Sequence, residues 1–271
     1  MIDRCKVVKL KCCKVIIALT KKLFNFTTFQ PFNFRSMKKL FTLILLLVSL
    51  SAFAKGPKNQ YVRIKTSYGE CIIRLYNETP QHRDNFIKLV KKGFYNGTLF
   101  HRVIQNFMIQ GGDPDSKDPA KATPGAELGN GDVGYTVPAE FRDSIFHKRG
   151  VLAAARDDNP KKASSGCQFY IVEGKRITDA KMDSLEQGRL KGYKIPEWQR
   201  AWYRSVGGTP QLDHGYTVYG EVVYGLDMVD RIAAVKKDER DRPTADVPMI
   251  VELLSKRECK RLDEILSPPA P

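Results

Sequence analysis

Apolar positions fall in short runs along most of the chain, and their period switches repeatedly between two and about 3.6. Residues 61–66 and 71–75 alternate or run apolar on either side of Ser67-Tyr68-Gly69, which predicts a β-hairpin. Thr79-Pro80 then predicts a helix start, with Phe86, Leu89 and Val90 on one apolar face and Gly93 past its end. Residues 98–103 and 107–110 read as strands, followed by a Gly/Pro/Asp-rich loop over 111–134. Residues 150–155 and 168–172 are two more apolar strands, and 217–223 and 249–254 a further pair, with a short helix over 226–235 between them. Many short strands with few helices predict an antiparallel barrel, not a parallel α/β sheet.

Residues 174–208 interrupt this pattern. Met182, Leu185 and Arg189 on one side, and Trp198 four residues before Trp202, predict one or two helices inserted between strands. The tryptophans are expected on a helix face packed against the barrel; a client-binding surface is the alternative. The tail over 256–271 is charged and ends in proline, so it is expected to fray.

Composition alters the picture at the N-terminus. The net charge of +15 on 271 residues suggests a polyanion-binding protein. Residues 1–54, however, hold ten Lys/Arg against Asp3 alone, leaving 35 bases against 29 acids and a net of +6 for the rest. Met37-Lys38-Lys39 precedes a run over 40–50 broken only by Thr42 and Ser49, and Ser51-Ala52-Phe53-Ala54 follows it. A positive start, a short apolar run and an Ala-x-Ala end describe a secretory signal peptide over 37–54, cleaved after Ala54. A membrane anchor needs about 20 apolar residues, and this run is shorter. Residues 1–36 are expected to be a mis-assigned upstream start, or else part of a long signal sequence. The working domain is then expected over 55–255, exported to a periplasm or the medium.

The cysteines reinforce this division. Cys5, Cys12 and Cys13 lie in the leader, leaving Cys71, Cys167 and Cys259, which form neither a disulfide framework nor a metal-ligand cluster. Cys71 and Cys167 fall in strand-like runs and are expected to be buried; Cys259, in the charged tail, is expected to be a free thiol. His82 and His147 have no partner in the sequence and read as structural or exposed.

Three segments carry the chemistry. The first runs from Tyr95-Asn96-Gly97-Thr98-Leu99-Phe100-His101-Arg102-Val103-Ile104 into Gln105-Asn106-Phe107-Met108-Ile109-Gln110-Gly111-Gly112-Asp113. The second is Gly150-Val151-Leu152-Ala153-Ala154-Ala155 with Ser165-Gly166-Cys167-Gln168-Phe169-Tyr170-Ile171. The third is Leu212-Asp213 with Tyr216-Thr217-Val218-Tyr219-Gly220-Glu221-Val222. In order and spacing, these resemble the cyclophilin family of peptidyl-prolyl isomerases over about residues 61–254. The resemblance implies an eight-stranded antiparallel β-barrel capped by two helices, here with the helical insertion, and an active groove on its outer face.

By position, the resemblance implies Arg102 as the catalytic guanidinium and Phe107, Met108, Tyr170 and Leu212 as the wall of a proline pocket. Gln110 would bind substrate backbone, and His101, Ile104, Ala155, Arg156 and Gln168 would line the groove. Tyr216 stands where many members carry histidine, and Gln211 where many eukaryotic members carry a tryptophan that contributes to cyclosporin binding. The implied reaction is rotation about X–Pro bonds. It breaks amide resonance but no covalent bond, so no nucleophile, metal or cofactor is required. The implied partners are proline-containing polypeptides met by a monomer, with no nucleic acid and no membrane anchor after cleavage. A cyclophilin-like module that binds proline segments without turnover is the alternative. Gln110 and Gln168 lie in apolar strands, where an unpaired amide costs roughly 1–3 kcal/mol. Their amides must therefore be paired, either within the protein or by substrate.

Overall fold

The computed structural model describes residues 59–267. The expected upstream segment and signal peptide lie outside the described residues, as do residues 268–271. Ten strands are described, eight of them in one antiparallel sheet: β1 (Gln60–Thr66), β2 (Gly69–Leu75), β3 (Phe100–Ile104), β4 (Met108–Gly111), β6 (Val151–Ala154), β8 (Phe169–Val172), β9 (Val218–Tyr224) and β10 (Ile250–Leu253). The spatial order β10-β1-β2-β9-β6-β8-β4-β3 curls until its two ends meet. There the Phe100 amide donates to the Val247 carbonyl (3.0 Å) and the Met249 amide to the Thr98 carbonyl (2.9 Å). Joining the ends in this way covers edges that would otherwise template aggregation. Two short strands, β5 (Thr136–Val137) and β7 (Ser164–Ser165), form a separate ribbon.

The sheet's inner face holds the main core: Val62, Ile64, Ile73, Leu75, Phe100, Val103, Ile109, Leu152, Phe169 and Ile171. Helix α1 (Pro80–Lys91) contributes Phe86, Leu89 and Val90 to it, and α4 (Leu226–Ala233) adds Met228, Val229 and Ile232. Proline in the first turn and Lys88 and Lys91 in the last suit the ends of α1. The barrel with two capping helices is thus the observed architecture. A second apolar cluster occupies the outer face: Met108, Val151, Ala153, Ala155, Tyr170, Val172, Leu212 and Val218, with Ile104, Phe107 and Tyr216 against it. Strands with apolar side chains on both faces explain why 151–154 and 169–172 are continuous apolar runs without alternation.

The insertion between β8 and β9 forms two helices, α2 (Asp179–Gln187) and α3 (Glu197–Ser205). Arg200 ties them together through Asp179, Asp183 and Glu186. Their packing departs from expectation in two places. Arg189 lies beyond the end of α2, and the buried positions on that helix are Met182 and Glu186. On α3 the buried stripe is shifted by one residue, to Gln199 and Tyr203, leaving Trp198 48% and Trp202 44% exposed. Trp198 meets Phe146 edge-on, and Lys148 sits over the Trp202 ring.

The tail is the clearest correction. It is not frayed over 256–266 but forms α5 (Lys256–Leu266), started by a Ser255–Glu258 capping box. Cys259 and Leu262 pack on Tyr61 and Ile72, and the Tyr61 hydroxyl donates to Asp263 (2.9 Å). Cys259 is unpaired, as are Cys71 and Cys167, but it is buried, and burial pushes its thiol pKa up. A charged sequence with one apolar position per turn reads as loose until its barrel partner is known.

Candidate active site

The site begins with an irregularity in β3. Phe100 pairs with Gly111 and Arg102 with Gln110, so two steps on β3 face one on β4 and His101 is the extra residue of a bulge. A bulge re-aims the side chains that follow it. Phe100 and Val103 both reach the inner core, while Arg102 and Ile104 turn outward. The Arg102 side chain is 44% exposed; its Nε lies 3.9 Å from Asp241 Oδ2, too far for a hydrogen bond. Among the described residues its guanidinium makes no hydrogen bond, so its donors face the groove.

Beside it lies a pocket of about 200 Å³ lined by Arg102, Phe107, Met108, Gln110, Ala155, Arg156, Tyr170, Leu212 and Tyr216. Nine of the twelve residues implied by the sequence therefore converge from four separated segments. Tyr216 meets Tyr170 edge-to-face (5.9 Å), and the Arg156 guanidinium stacks over Tyr216 (4.8 Å) while its Nε donates to the Gly215 carbonyl (2.8 Å). The wall is therefore a braced stack of rings.

The other three implied residues lie around this pocket. Ile104 packs in the apolar cluster beneath it. Gln168 accepts from Gln110 Nε2 (3.1 Å) and donates to the carbonyls of Gly129 (2.7 Å) and Gly131 (2.9 Å). The buried Gln168 and half-buried Gln110 amides are thus paired with each other within the protein, and Gln168 fastens the long loop to the sheet. His101 is buried against Gly129 with neither ring nitrogen in a well-formed hydrogen bond, outside the pocket lining. Desolvation pushes its pKa down to about 4, with the Arg102 charge adding to the shift.

A second, more polar pocket of about 570 Å³ adjoins the first and shares Gln110, Ala155 and Arg156 with it. Asp132, Tyr135, Asn159 and Ser165 line its far side. The sequence showed this stretch only as a Gly/Pro/Asp-rich loop, and its approach to the groove depends on Gln168. Two buried histidines have partners that the sequence did not show. His82 bridges Glu140 (2.8 Å) and Ser164 (3.0 Å); His147 bridges Asp213 (2.8 Å) and Tyr170 (2.9 Å). Both are structural, as one of the two sequence readings had it, and neither is exposed.

The site is thus an exposed cation beside an apolar pocket, on the outside of a curled antiparallel sheet. Comparison with known proteins gives the family. Residues 61–252 match the family described as cyclophilin type peptidyl-prolyl cis-trans isomerase/CLD. A Streptococcus pyogenes protein named "Putative bifunctional phosphatase/peptidyl-prolyl cis-trans isomerase" is 37% identical over 196 residues, covering 71% of this chain and 37% of that protein. A Staphylococcus saprophyticus protein named "Putative peptidyl-prolyl cis-trans isomerase" is 33% identical over 183 residues, covering 67% of this chain and 85% of its own length. A crystal structure of a Cryptosporidium parvum cyclophilin type peptidyl-prolyl cis-trans isomerase shares the fold, with TM-score 0.52 and 23% identity over 73% of this chain and 98% of that one. The chain belongs to the cyclophilin-type peptidyl-prolyl cis-trans isomerase family.

Proposed function

We propose that the domain catalyses X–Pro rotation in exported polypeptides, working as a monomer, with Arg102 stabilising the twisted amide while the apolar pocket holds the proline ring. The observation that carries this is the outward Arg102 guanidinium at the mouth of the pocket formed by Phe107, Met108, Tyr170 and Leu212. The two isomers of an X–Pro bond differ by only about 0.5–1 kcal/mol, while the barrier between them is roughly 18–20 kcal/mol. In the twisted state the amide loses resonance and its nitrogen regains a lone pair. A cation donating to that nitrogen, or to the adjacent carbonyl, favours the twisted over the planar form, which is the condition for catalysis. Lowering the barrier by about 7 kcal/mol yields on the order of 10⁵-fold. The pocket keeps the pyrrolidine still while the flanking chain turns.

A protease-coupled assay on an Xaa-Pro peptide tests this reading. Faster cis-to-trans conversion is expected, and none at micromolar protein would overturn it. In the same assay cyclosporin is expected to inhibit weakly, because Gln211 replaces the aromatic surface that many eukaryotic members offer the drug. Tight stoichiometric inhibition would contradict that. The exported setting rests on the leader sequence. N-terminal sequencing of extracytoplasmic material is expected to begin at Lys55; a product retaining residues 1–36 would refute the assigned start.

A further inference from the structure

The helical insertion ends in a buried hydrogen-bond chain that the chemistry above does not use. Tyr203 on α3 is fully buried, and its hydroxyl donates to Asp213 Oδ2 at 2.5 Å. The other carboxylate oxygen, Oδ1, accepts the His147 backbone amide and faces its Nδ1, both at 2.8 Å. With Nδ1 turned to the carboxylate, Nε2 faces the Tyr170 hydroxyl at 2.9 Å, placed to accept from it. Burial pushes both phenols well above their ordinary pKa, with Asp213 adding to each shift, so both remain hydroxyl donors.

This chain meets the proline pocket at its Tyr170 end and, through the backbone, at Asp213. Tyr170 is part of its wall, and Asp213 directly follows Leu212, another wall residue, at the end of a short 3-10 turn over Pro210–Leu212. The approach of Tyr203 is built into the backbone. Gly208 has φ +154°, and a Cβ there would lie 2.7 Å from Tyr203 Cε1. The same Cβ would collide with the His147 carbonyl oxygen, so no side chain larger than hydrogen fits between this backbone and the ring.

We propose that Tyr203 is a positioning residue of the isomerase site: through Asp213 and His147 it holds the Tyr170 ring and the Leu212 turn in the shape that receives proline. The proposal rests on reading the pocket as the proline site. Without the Tyr203 hydroxyl, Asp213 Oδ2 is left buried and unpaired. The carboxylate then turns toward other donors and releases His147, so that Tyr170 loses its acceptor. A loosened wall binds the pyrrolidine less well in the planar and twisted states alike, so the loss falls on KM and not on kcat.

The test compares wild type, Tyr203→Phe, Tyr170→Phe and the double variant. It measures kcat and KM for one Xaa-Pro peptide, Kd for the same peptide by calorimetry, and thermal unfolding. All assays run well below the lowest melting temperature. Tyr203→Phe is expected to raise KM and Kd roughly fivefold to tenfold with kcat within about twofold. In the double variant the effects are expected to combine to less than their product, because Tyr170→Phe already breaks the chain. A lower melting temperature with unchanged KM and Kd would overturn the proposal, leaving Tyr203 a stabilising residue only. Fully multiplicative effects would also overturn it. Wild type that binds the peptide without turning it over would overturn the catalytic reading alone, with Kd still reporting on Tyr203. No binding and no turnover would overturn both.

Discussion

Arg102→Ala is expected to lower kcat for X–Pro isomerisation by about 10²–10³-fold, the usual effect of removing one preorganised transition-state donor. KM should change little, because a guanidinium that acts on the twisted amide gives little to the planar ground state. Stability should also be preserved, within about 0.5 kcal/mol. The side chain is 44% exposed, and its ion pair with Asp241 is long at 3.9 Å, so little folded-state energy is removed with it. Arg102→Lys is expected to recover only part of the rate, since an ammonium keeps the charge but not the planar fork of donors. Equal rates for wild type and Arg102→Ala would remove this residue from the mechanism and leave the pocket as a binding site.

Acidification from pH 7 to pH 4 is expected to cost the folded domain about 3 kcal/mol through His101 alone. Its pKa is held down to about 4 against an ordinary 6.5, first by desolvation and then by Arg102 and Arg242, with Asp113 opposing. Neither ring nitrogen makes a well-formed hydrogen bond, and the nearby Leu99 backbone offsets only part of the shift. The unfolded chain therefore takes up a proton near pH 6.5 that the folded chain refuses until about pH 4. Stability is fully present above pH 6.5, falls as pH drops toward 4, and levels off below. His82, whose pKa is likewise lowered by burial, adds to the same slope. Urea unfolding of wild type and His101→Leu at both pH values isolates the His101 share. The variant is expected to lose about 3 kcal/mol less than wild type. Identical losses would show that the buried imidazole does not govern acid stability.

What could be read from the sequence divides along contact distance. The β1–β2 hairpin, α1 and α4 were legible because their signals are local: a glycine turn, a proline at a helix start, an apolar stripe at helical spacing. The pocket residues were legible because the motif around Arg102 and Phe107 is dense, with Met108 and Tyr170 on the outer face of β4 and β8 and Leu212 in the third motif. The tail helix was not legible. Its capping box is local, but its single apolar stripe gains stability only against Tyr61 and Ile72, nearly two hundred residues earlier. The tryptophans of α3 misled for the same reason. Trp198 and Trp202 share a face, yet Tyr203 is the residue that finds an acceptor in Asp213, and that bond fixes which side turns inward.

The sequence by itself determined the kinds and order of the elements from the first hairpin to the last strand, and the arginine and apolar residues that line the groove. Its period-two and helical patterns express side-chain direction over a few residues, and the local backbone enforces that direction. Tertiary structure alone decided that Arg102 points outward while its neighbour His101 is buried. One extra residue in β3 against β4 shifts the register, and the sequence carries no mark of it. The same holds for the insertion. Nothing local marks Tyr203 as linked to Tyr170; the link exists because buried polar groups must find partners wherever the fold brings them, here from α3 through Asp213 and His147.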